Sequence, residues 1–185
     1  MKFRFWTGNE VKQLKENQIF VFGSNPSGYH GAGAAKAAKE KFGAINYNGR
    51  GIQGQSYALV TKNLKPGYTE RSTGIVYEKS GYKSVSEEQI TANIQELYNF
   101  ARENPDKFFI VIYKNDTWPN GSPKKSLNGY NGEEIFNMFM AHDNKPDNII
   151  FHDSFKPLAA KYLQALNTPQ QQPQLSQNSF RPKLR

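Results

Sequence analysis

Two glycine-rich segments contain the residues whose types and spacing suggest chemistry. In the first, Gly23, Gly28, Gly31 and Gly33 follow the apolar run at residues 19–22, and an alanine-rich run comes next. Such a loop leads into the unpaired N–H groups of a helix N-terminus, which a phosphate can approach closely because glycine has no Cβ atom. The segment is neither a Walker A loop nor a clean GxGxxG motif. A tight strand-to-helix turn without a ligand stays an alternative.

The second segment spans residues 48–57 and has the sequence NGRGIQGQSY. Its glycines, Gly54 among them, permit positive φ angles and close approach of the backbone. Gln53, Gln55 and Ser56 offer neutral hydrogen bonds suited to a ribose or an amide, and Arg50 could pair with a phosphate. A flexible surface loop is the alternative. Because both segments precede consecutive strands, we expect them to form one diphosphate or ribose site.

Histidine is the one residue type here with an ordinary pKa near neutrality, and His30 lies inside the first loop. This position suggests an acid–base group at the edge of an anion site, whereas a structural hydrogen bond is the alternative. His142 and His152 lack metal-ligand spacing with it, so we expect no metal site.

A third segment of interest, residues 114–128, follows the most apolar strand pattern of the chain. Asp116 is its one carboxylate, and Lys124 and Lys125 add positive charge. Trp118 could stack on a base or cover a loop. Loops of this length are uncommon and often functional, although a merely mobile loop is the alternative.

The elements that position these segments alternate between strands and helices. Apolar patterns predict strands at residues 19–22, 56–61, 74–79, 108–113 and 148–151. Helices are predicted at residues 32–42, from a capping box at residues 86–89 to Asn104, from Asn131 onward, and from Pro157 to about Leu166. This alternation predicts an α/β domain with a largely parallel sheet, whose ligand lies beyond the carboxyl ends of the strands.

Composition excludes several classes of protein. The 185 residues contain no cysteine, so a disulfide scaffold, a Cys-ligated zinc site and a cysteine nucleophile are absent. No apolar run approaches the roughly 20 residues that span a bilayer, and residues 1–6 carry no apolar signal segment. We therefore expect a cytoplasmic monomer that does not contact membranes.

The charge of the chain is unevenly distributed. Lys and Arg number 24 against 16 Asp and Glu, a net charge of +8 that favours anionic partners. Residues 167–185 are rich in Gln, Pro and Ser and predict a disordered basic tail after a domain at residues 1–166. The tail holds three of the eight net charges, on Arg181, Lys183 and Arg185.

The order of these motifs resembles the macro domain family, the ADP-ribose-binding α/β module. Residues 5–14 resemble its opening strand and Gly-Asp-Ile-Thr turn, and residues 19–25 resemble the strand that ends in the Asn of its Asn-Ala-Ala-Asn motif. The chain is more similar still to a divergent macro-like group of bacteria and phages, with V-F-G-S-N at 21–25, H-G-A-G-A-A at 30–35 and G-x-Q-G-x-S-Y-A at 51–58. Residues 127–130 and 133–135 resemble the L-A-G-Y and E-E-I signature of that group. The resemblance covers roughly residues 2–155.

The resemblance implies a three-layer α/β/α macro-like fold with a mixed, mostly parallel sheet, and binding of ADP-ribose or a related NAD-derived nucleotide. Asn9 stands where the family recognises adenine, and Asn25 stands where an Asn contacts the distal ribose. The first phosphate loop corresponds to Gly31, Ala32 and Gly33, and the second lies near Asn128, Gly129 and Tyr130. The full set of expected ligand-binding residues adds Gly23, Ser24, Gln53, Gly54 and Ser56.

Several functions follow from these observations. A hydrolase would remove ADP-ribose from a modified protein or nucleic acid, with Asn25 and His30 as catalytic groups, whereas a pure binder would hold the nucleotide; neither needs a further cofactor. In a phage, such a protein would suit the countering of NAD-based host defence. The alternative from another class is a basic nucleic-acid-binding accessory protein without catalysis, favoured by the charge and the aromatic residues. A structural interaction domain with a degenerate pocket is the third.

Overall fold

The computed structural model describes residues 1–168. The strands of this part are β1 (Arg4–Trp6), β2 (Gln18–Ser24), β3 (Gly51–Gln53), β4 (Ser56–Val60), β5 (Tyr68–Thr69), β6 (Val76–Tyr77), β7 (Phe108–Val111) and β8 (Ile149–His152). The α-helices are α1 (Gly33–Lys41), α2 (Glu87–Glu103), α3 (Gly132–Met140) and α4 (Lys156–Asn167). Of the predicted tail, residues 169–185 lie outside the described residues.

Six strands form one mixed sheet in the order β1-β8-β7-β2-β4-β3. All neighbours run parallel except β3, which pairs antiparallel with β4. Strands β5 and β6 form a separate antiparallel hairpin. Parallel neighbours require crossover connections, which are usually helical. The predicted α/β class with a mixed, mostly parallel sheet is confirmed.

The core has two layers because successive side chains of a strand point to opposite faces of the sheet. On one face, Ile19 and Val21 pack into a cluster with the apolar sides of α2, α3 and α4. On the other face, Phe20 and Phe22 pack with the buried alanines of α1. The sheet therefore lies between α1 and the other three helices, as a three-layer α/β/α arrangement.

Helix α1 approaches the sheet closely because its buried residues, Ala35 and Ala38, are small. Beyond its last turn, the ring of Phe42 lies 4.7 Å from that of Phe20. Gly43, with a φ of +83°, then turns the chain away. The position of α1 fixes the loop that precedes it, which belongs to the first glycine-rich segment.

The N-termini of α2 and α3 have side-chain caps. Ser86 accepts a hydrogen bond from the N–H of Gln89 at 3.2 Å, but the Gln89 side chain donates to Asn93 instead of reaching back. The predicted capping box of α2 is therefore only half formed, because Asn93 competes for its second member. At α3, Asn131 and Glu134 exchange both hydrogen bonds, at 2.9 and 2.8 Å, and form a complete box.

Most predicted elements are confirmed. The predicted strands at 19–22, 56–61, 108–113 and 148–151 correspond to β2, β4, β7 and β8, and that at 74–79 is shortened to β6. The edge strand β3 was not predicted, because it arises inside the glycine-rich second segment. None of the helices within residues 1–168 combines the length and the apolarity that crossing a membrane requires.

Candidate functional site

A cavity of about 520 Å³ opens at the carboxyl ends of β2, β4 and β7. Its wall consists of residues 23–25, 61, 62, 64, 112–114, 116 and 124–128, together with Tyr29, Gly31 and the start of α1. The chain leaves the central strand β2 toward β4 over one face of the sheet and returns to β7 over the other. Such a switch point leaves a crevice beyond the strand ends, and a cavity of this size suits a small-molecule ligand.

The loop after β2 is shaped by the side chain of Asn25. Its Oδ1 accepts hydrogen bonds from the Tyr29 N–H at 3.0 Å and the Ser27 hydroxyl at 2.8 Å, and its Nδ2 donates to the Tyr29 carbonyl at 2.8 Å. Asn25 lines the cavity and is buried. It therefore holds the loop in place, and most of its hydrogen-bonding capacity is already used within that loop.

The N-terminus of α1 reaches the cavity wall through Ala32, Ala34 and Ala35. No side chain caps this helix, and its first turn contains no acidic residue. Among the described residues, the N–H groups of Gly33, Ala34 and Ala35 have no acceptor, whereas that of Lys36 donates to the Ala32 carbonyl at 3.2 Å. Unpaired N–H groups and the positive end of the helix dipole both attract an anion. The start of α1 thus has the properties expected of a phosphate-binding element.

Tyr113 joins three parts of the wall. Its hydroxyl forms a hydrogen bond with Thr61 at 2.9 Å and accepts one from Asn128 Nδ2 at 3.1 Å. Burial raises the pKa of Tyr113 to about 12, against the opposing effect of these two partners. The phenol is therefore neutral at physiological pH, and it links the ends of β4 and β7 with the loop before α3.

Four lysines give the cavity a positive wall: Lys62, Lys114, Lys124 and Lys125. Asp116 is the one carboxylate beside them among the described residues, and none of the four forms an ion pair there. The Lys114 ammonium instead donates to the Asn9 carbonyl at 2.6 Å. Charges left without partners around a concave site favour an anionic ligand.

The segment after β7 forms a short hairpin at the edge of the cavity. Thr117 and Pro123 form an antiparallel bridge, and the Trp118 N–H donates to the Ser122 carbonyl at 2.8 Å. Lys124 lines the cavity, and its ammonium lies 4.9 Å from the centre of the Trp118 ring. Residues 114–128, which the sequence marks as a long and unusual segment, therefore contain a defined turn and do not form an irregular loop.

The second glycine-rich segment lies outside the cavity wall, although the sequence predicts that both segments form one site. Strands β2 and β4 are parallel, with Phe20 opposite Ser56 and Ser24 opposite Val60. Gln53, Gly54 and Ser56 therefore lie at the amino end of these strands, opposite the cavity. This correction follows from the register of the sheet, which the local sequence does not contain.

Contacts within the second segment are structural. Gln53 accepts from the Ile45 N–H at 2.7 Å and donates to the Asn48 carbonyl at 2.9 Å, and the Ser56 hydroxyl donates to the Gln53 carbonyl at 2.8 Å. A Cβ atom at Gly54 would lie 3.0 Å from the Cα of Gly43. These residues fasten the β3–β4 turn to the end of α1.

Arg50 is committed to carboxylates rather than to a ligand phosphate. Its guanidinium donates to both Glu70 oxygens, at 2.7 and 2.9 Å, and to Glu96 at 2.9 Å. Burial alone would raise the pKa of Glu70, but hydrogen bonds from Arg50, Tyr77 and Thr73 hold it below its usual range. Arg50 thus locks the β5–β6 hairpin and α2 onto the sheet.

His30 lies beneath the first loop and does not line the cavity. Its Nε2 faces the Asn48 carbonyl at 3.1 Å, and its ring packs edge-on against Phe22. Burial lowers the pKa of His30, against the effect of the Asn48 and Ile45 carbonyls. A ring without access to the cavity cannot exchange a proton with a ligand there, so the structural interpretation of His30 applies.

Four other expected ligand-binding residues lie outside the cavity wall: Asn9, Gly33, Gly129 and Tyr130. Asn9 contributes only its carbonyl, which positions Lys114. Tyr130 is buried and donates to the Val85 carbonyl at 2.8 Å. A Cβ atom at Gly129 would lie 2.8 Å from the Tyr82 side chain, so this glycine permits a close contact between two loops.

The chain has no significant match among protein-family models, curated proteins or solved structures. The resemblance to macro domains therefore stays a prediction from the sequence motifs.

Six expected residues share the cavity wall: Gly23, Ser24, Asn25, Gly31, Ala32 and Asn128. The sequence did not single out Tyr29, Thr61, Lys62 or Tyr113, which also line the cavity. Thr61 is the last residue of a predicted strand and Lys62 directly follows it, and this position at a strand end is the signal that would have indicated them. Within residues 1–168, no group of three potential metal-binding side chains occurs.

Proposed function

We propose that the cavity binds ADP-ribose or a related NAD-derived nucleotide, with the diphosphate at the start of α1. The main support is that an uncapped helix N-terminus without acidic residues forms part of the wall, and that, among the described residues, four lysines but a single carboxylate also line it. A diphosphate accepts hydrogen bonds from free N–H groups and neutralises nearby lysines at the same time. We expect this binding to occur in the cytoplasm of a bacterial or phage-infected cell.

Among possible anionic ligands, ADP-ribose is favoured by the resemblance of the sequence motifs to the macro-like group. Residues 21–25 and 30–35, which resemble the macro-like group, contribute Gly23, Ser24, Asn25, Gly31 and Ala32 to the cavity wall. The segment at 51–58, which also resembles that group, lies elsewhere and supports the turn beside α1. The motifs that resemble the macro-like group therefore lie either in the cavity wall or in the turn that supports α1.

We propose binding without hydrolysis. A general acid or base must lie within hydrogen-bond reach of the reacting group. Asp116 is the one carboxylate on the wall within the described residues, and it is exposed to solvent. His30 is buried outside the cavity, and the Asn25 side chain is engaged by its own loop. These placements favour a protein that holds the nucleotide.

Calorimetric titration tests the binding. ADP-ribose should bind saturably at one site, AMP more weakly because it offers one phosphate, and ribose not at all. An absence of saturable heat with ADP-ribose would contradict the proposal. A release assay on an ADP-ribosylated peptide tests the second part, and liberation of ADP-ribose above the level of buffer alone would show that the protein is a hydrolase.

A further inference from the structure

The rim of the cavity pairs two of its lysines with exposed aromatic rings. The Lys124 ammonium lies 4.9 Å from the centre of the Trp118 ring, and the Lys62 ammonium lies 5.7 Å from that of Tyr82. Trp118 is 55% exposed and Tyr82 is 69% exposed. Both lysines also line the cavity, so each aromatic ring stands immediately outside it.

The Trp118 ring is held outside the core by a well-formed turn. The Trp118 carbonyl accepts from the Gly121 N–H at 2.8 Å, and Asn120 accepts from the Ser122 N–H and hydroxyl at 3.0 and 2.6 Å. A large aromatic ring placed in solvent buries little apolar surface and adds little to stability. A binding partner that covers the Trp118 ring would bury this exposed apolar surface.

We propose that this rim binds single-stranded nucleic acid whose terminal nucleotide occupies the cavity. The inference rests on the proposed nucleotide-binding function and extends it to the partner that carries the nucleotide. Bases would stack on Trp118 and Tyr82, while Lys62, Lys124 and Lys125 contact the phosphates. Stacking on exposed rings combined with cations along the backbone is the general mode of single-strand binding.

The two exposed aromatic rings favour single-stranded nucleic acid over other polyanions. An acidic peptide would use the lysines, but its carboxylates gain nothing from a flat ring. The bases of a duplex are stacked on one another and cannot cover Trp118. A single strand is the polyanion that uses both the rings and the charges of the rim.

Fluorescence of the intact protein provides the test, because the chain contains only two tryptophans. Trp6 is partly buried and donates to the Val111 carbonyl at 2.9 Å, so Trp118 is the accessible one. The probe is a short oligothymidylate with a 5′-terminal phosphate and a fluorescein label at its 3′ end, titrated with and without excess ADP-ribose. Tryptophan quenching reports binding to the wild type, and the anisotropy of the label reports the affinity of every variant, including those that lack Trp118. The variants are Trp118→Ala, Trp118→Phe and Tyr82→Ala, with Tyr47→Ala as the control, since Tyr47 is 84% exposed and outside the cavity wall.

The oligonucleotide should quench the fluorescence, compete with ADP-ribose, and bind at least about fivefold more weakly to Trp118→Ala and Tyr82→Ala. Trp118→Phe should retain most of the affinity, and Tyr47→Ala all of it. If ADP-ribose binds while the oligonucleotide does not, or binds independently of both rings, the inference is wrong and the proposed function stands. Equal binding of oligoglutamate would also overturn the inference. If neither ligand binds, both proposals fail.

Discussion

The hydroxyl of Tyr113 occupies the space that a Cβ atom at Gly23 would need. A Cβ built at residue 23 would lie 3.1 Å from Tyr113 Cζ and from Thr61 Oγ1, and closer still to the hydroxyl oxygen. This contact closes the end of β2 against the segment that follows β7. Residue 23 must therefore be glycine for the wall of the cavity to close, although its φ angle lies outside the left-handed region.

Replacement of Gly23 by Ala should lower the free energy of unfolding by about 1–3 kcal/mol, because the new methyl group displaces the Tyr113 ring. Urea denaturation measures the change. Combining the substitution with Tyr113→Phe removes the hydroxyl and should recover part of the loss. If the effects of the two substitutions on stability are additive, the side chains at positions 23 and 113 do not contact each other.

Replacement of Arg50 by Met should destabilise the protein by about 3–5 kcal/mol, because Glu70 would remain buried without its partner. The Glu70 side chain is 3% exposed and that of Arg50 is 14% exposed. The double variant Arg50→Met, Glu70→Gln should recover part of this loss. The affinity of folded Arg50→Met for ADP-ribose should equal that of the wild type. A loss of affinity without a loss of stability would place Arg50 in the binding site after all.

Lys145 should make stability depend on pH. Burial lowers the pKa of Lys145 to about 8 from an ordinary value of 10.5, although Asp147 acts in the opposite direction. Between these two pH values the unfolded chain binds more protons than the folded one, so the free energy of unfolding rises with pH. Lys145→Met, compared with the wild type by urea denaturation from pH 7 to 10, should lack this rise. Parallel pH profiles for the two proteins would refute this account of Lys145.

Lys124 should contribute to nucleotide affinity through its charge. Lys124→Gln should weaken ADP-ribose binding by about three- to tenfold at low salt, with a smaller difference at high salt because screening reduces the contribution of an exposed charge. Lys107→Gln is the matched control, since this lysine precedes β7 at the other end of the sheet. Equal losses in both variants would indicate a general effect of net charge.

Local patterns in the sequence identify the elements better than they identify the site. Residues 19–24 could be recognised as a strand followed by an anion-binding loop. The apolar run, the glycines and the helix-forming alanines that indicate this arrangement are adjacent in the chain. Gln53 was misplaced because only the parallel register of β2 and β4 decides which end of the sheet it occupies. That register depends on long-range pairing and is not encoded by any short segment.

The same limitation explains His30 and Tyr113. His30 looks accessible in a glycine-rich loop, but residues 45–48 fold back over it and bury its ring. Tyr113 looks like the last residue of an apolar strand, yet its hydroxyl meets Thr61 and Asn128 from other segments. In both cases the role of the residue is set by partners at least 15 residues away in the chain.

Ala32 provides the most direct test of phosphate binding at the start of α1. It lines the cavity and occupies the N-cap position with extended backbone, so a longer side chain fits the local conformation. Ala32→Glu places a carboxylate where the phosphate is proposed to bind, and it should leave stability unchanged or slightly higher because an acid suits a helix N-terminus. Ala32→Gln has nearly the same shape without the charge.

The decisive measurement is calorimetric titration of ADP-ribose into wild type, Ala32→Glu and Ala32→Gln, with urea denaturation to confirm that all three are folded. We predict saturable binding to the wild type, a loss of affinity of at least about tenfold in Ala32→Glu, and a clearly smaller loss in Ala32→Gln. Undiminished binding to folded Ala32→Glu would contradict the claim that α1 holds the diphosphate.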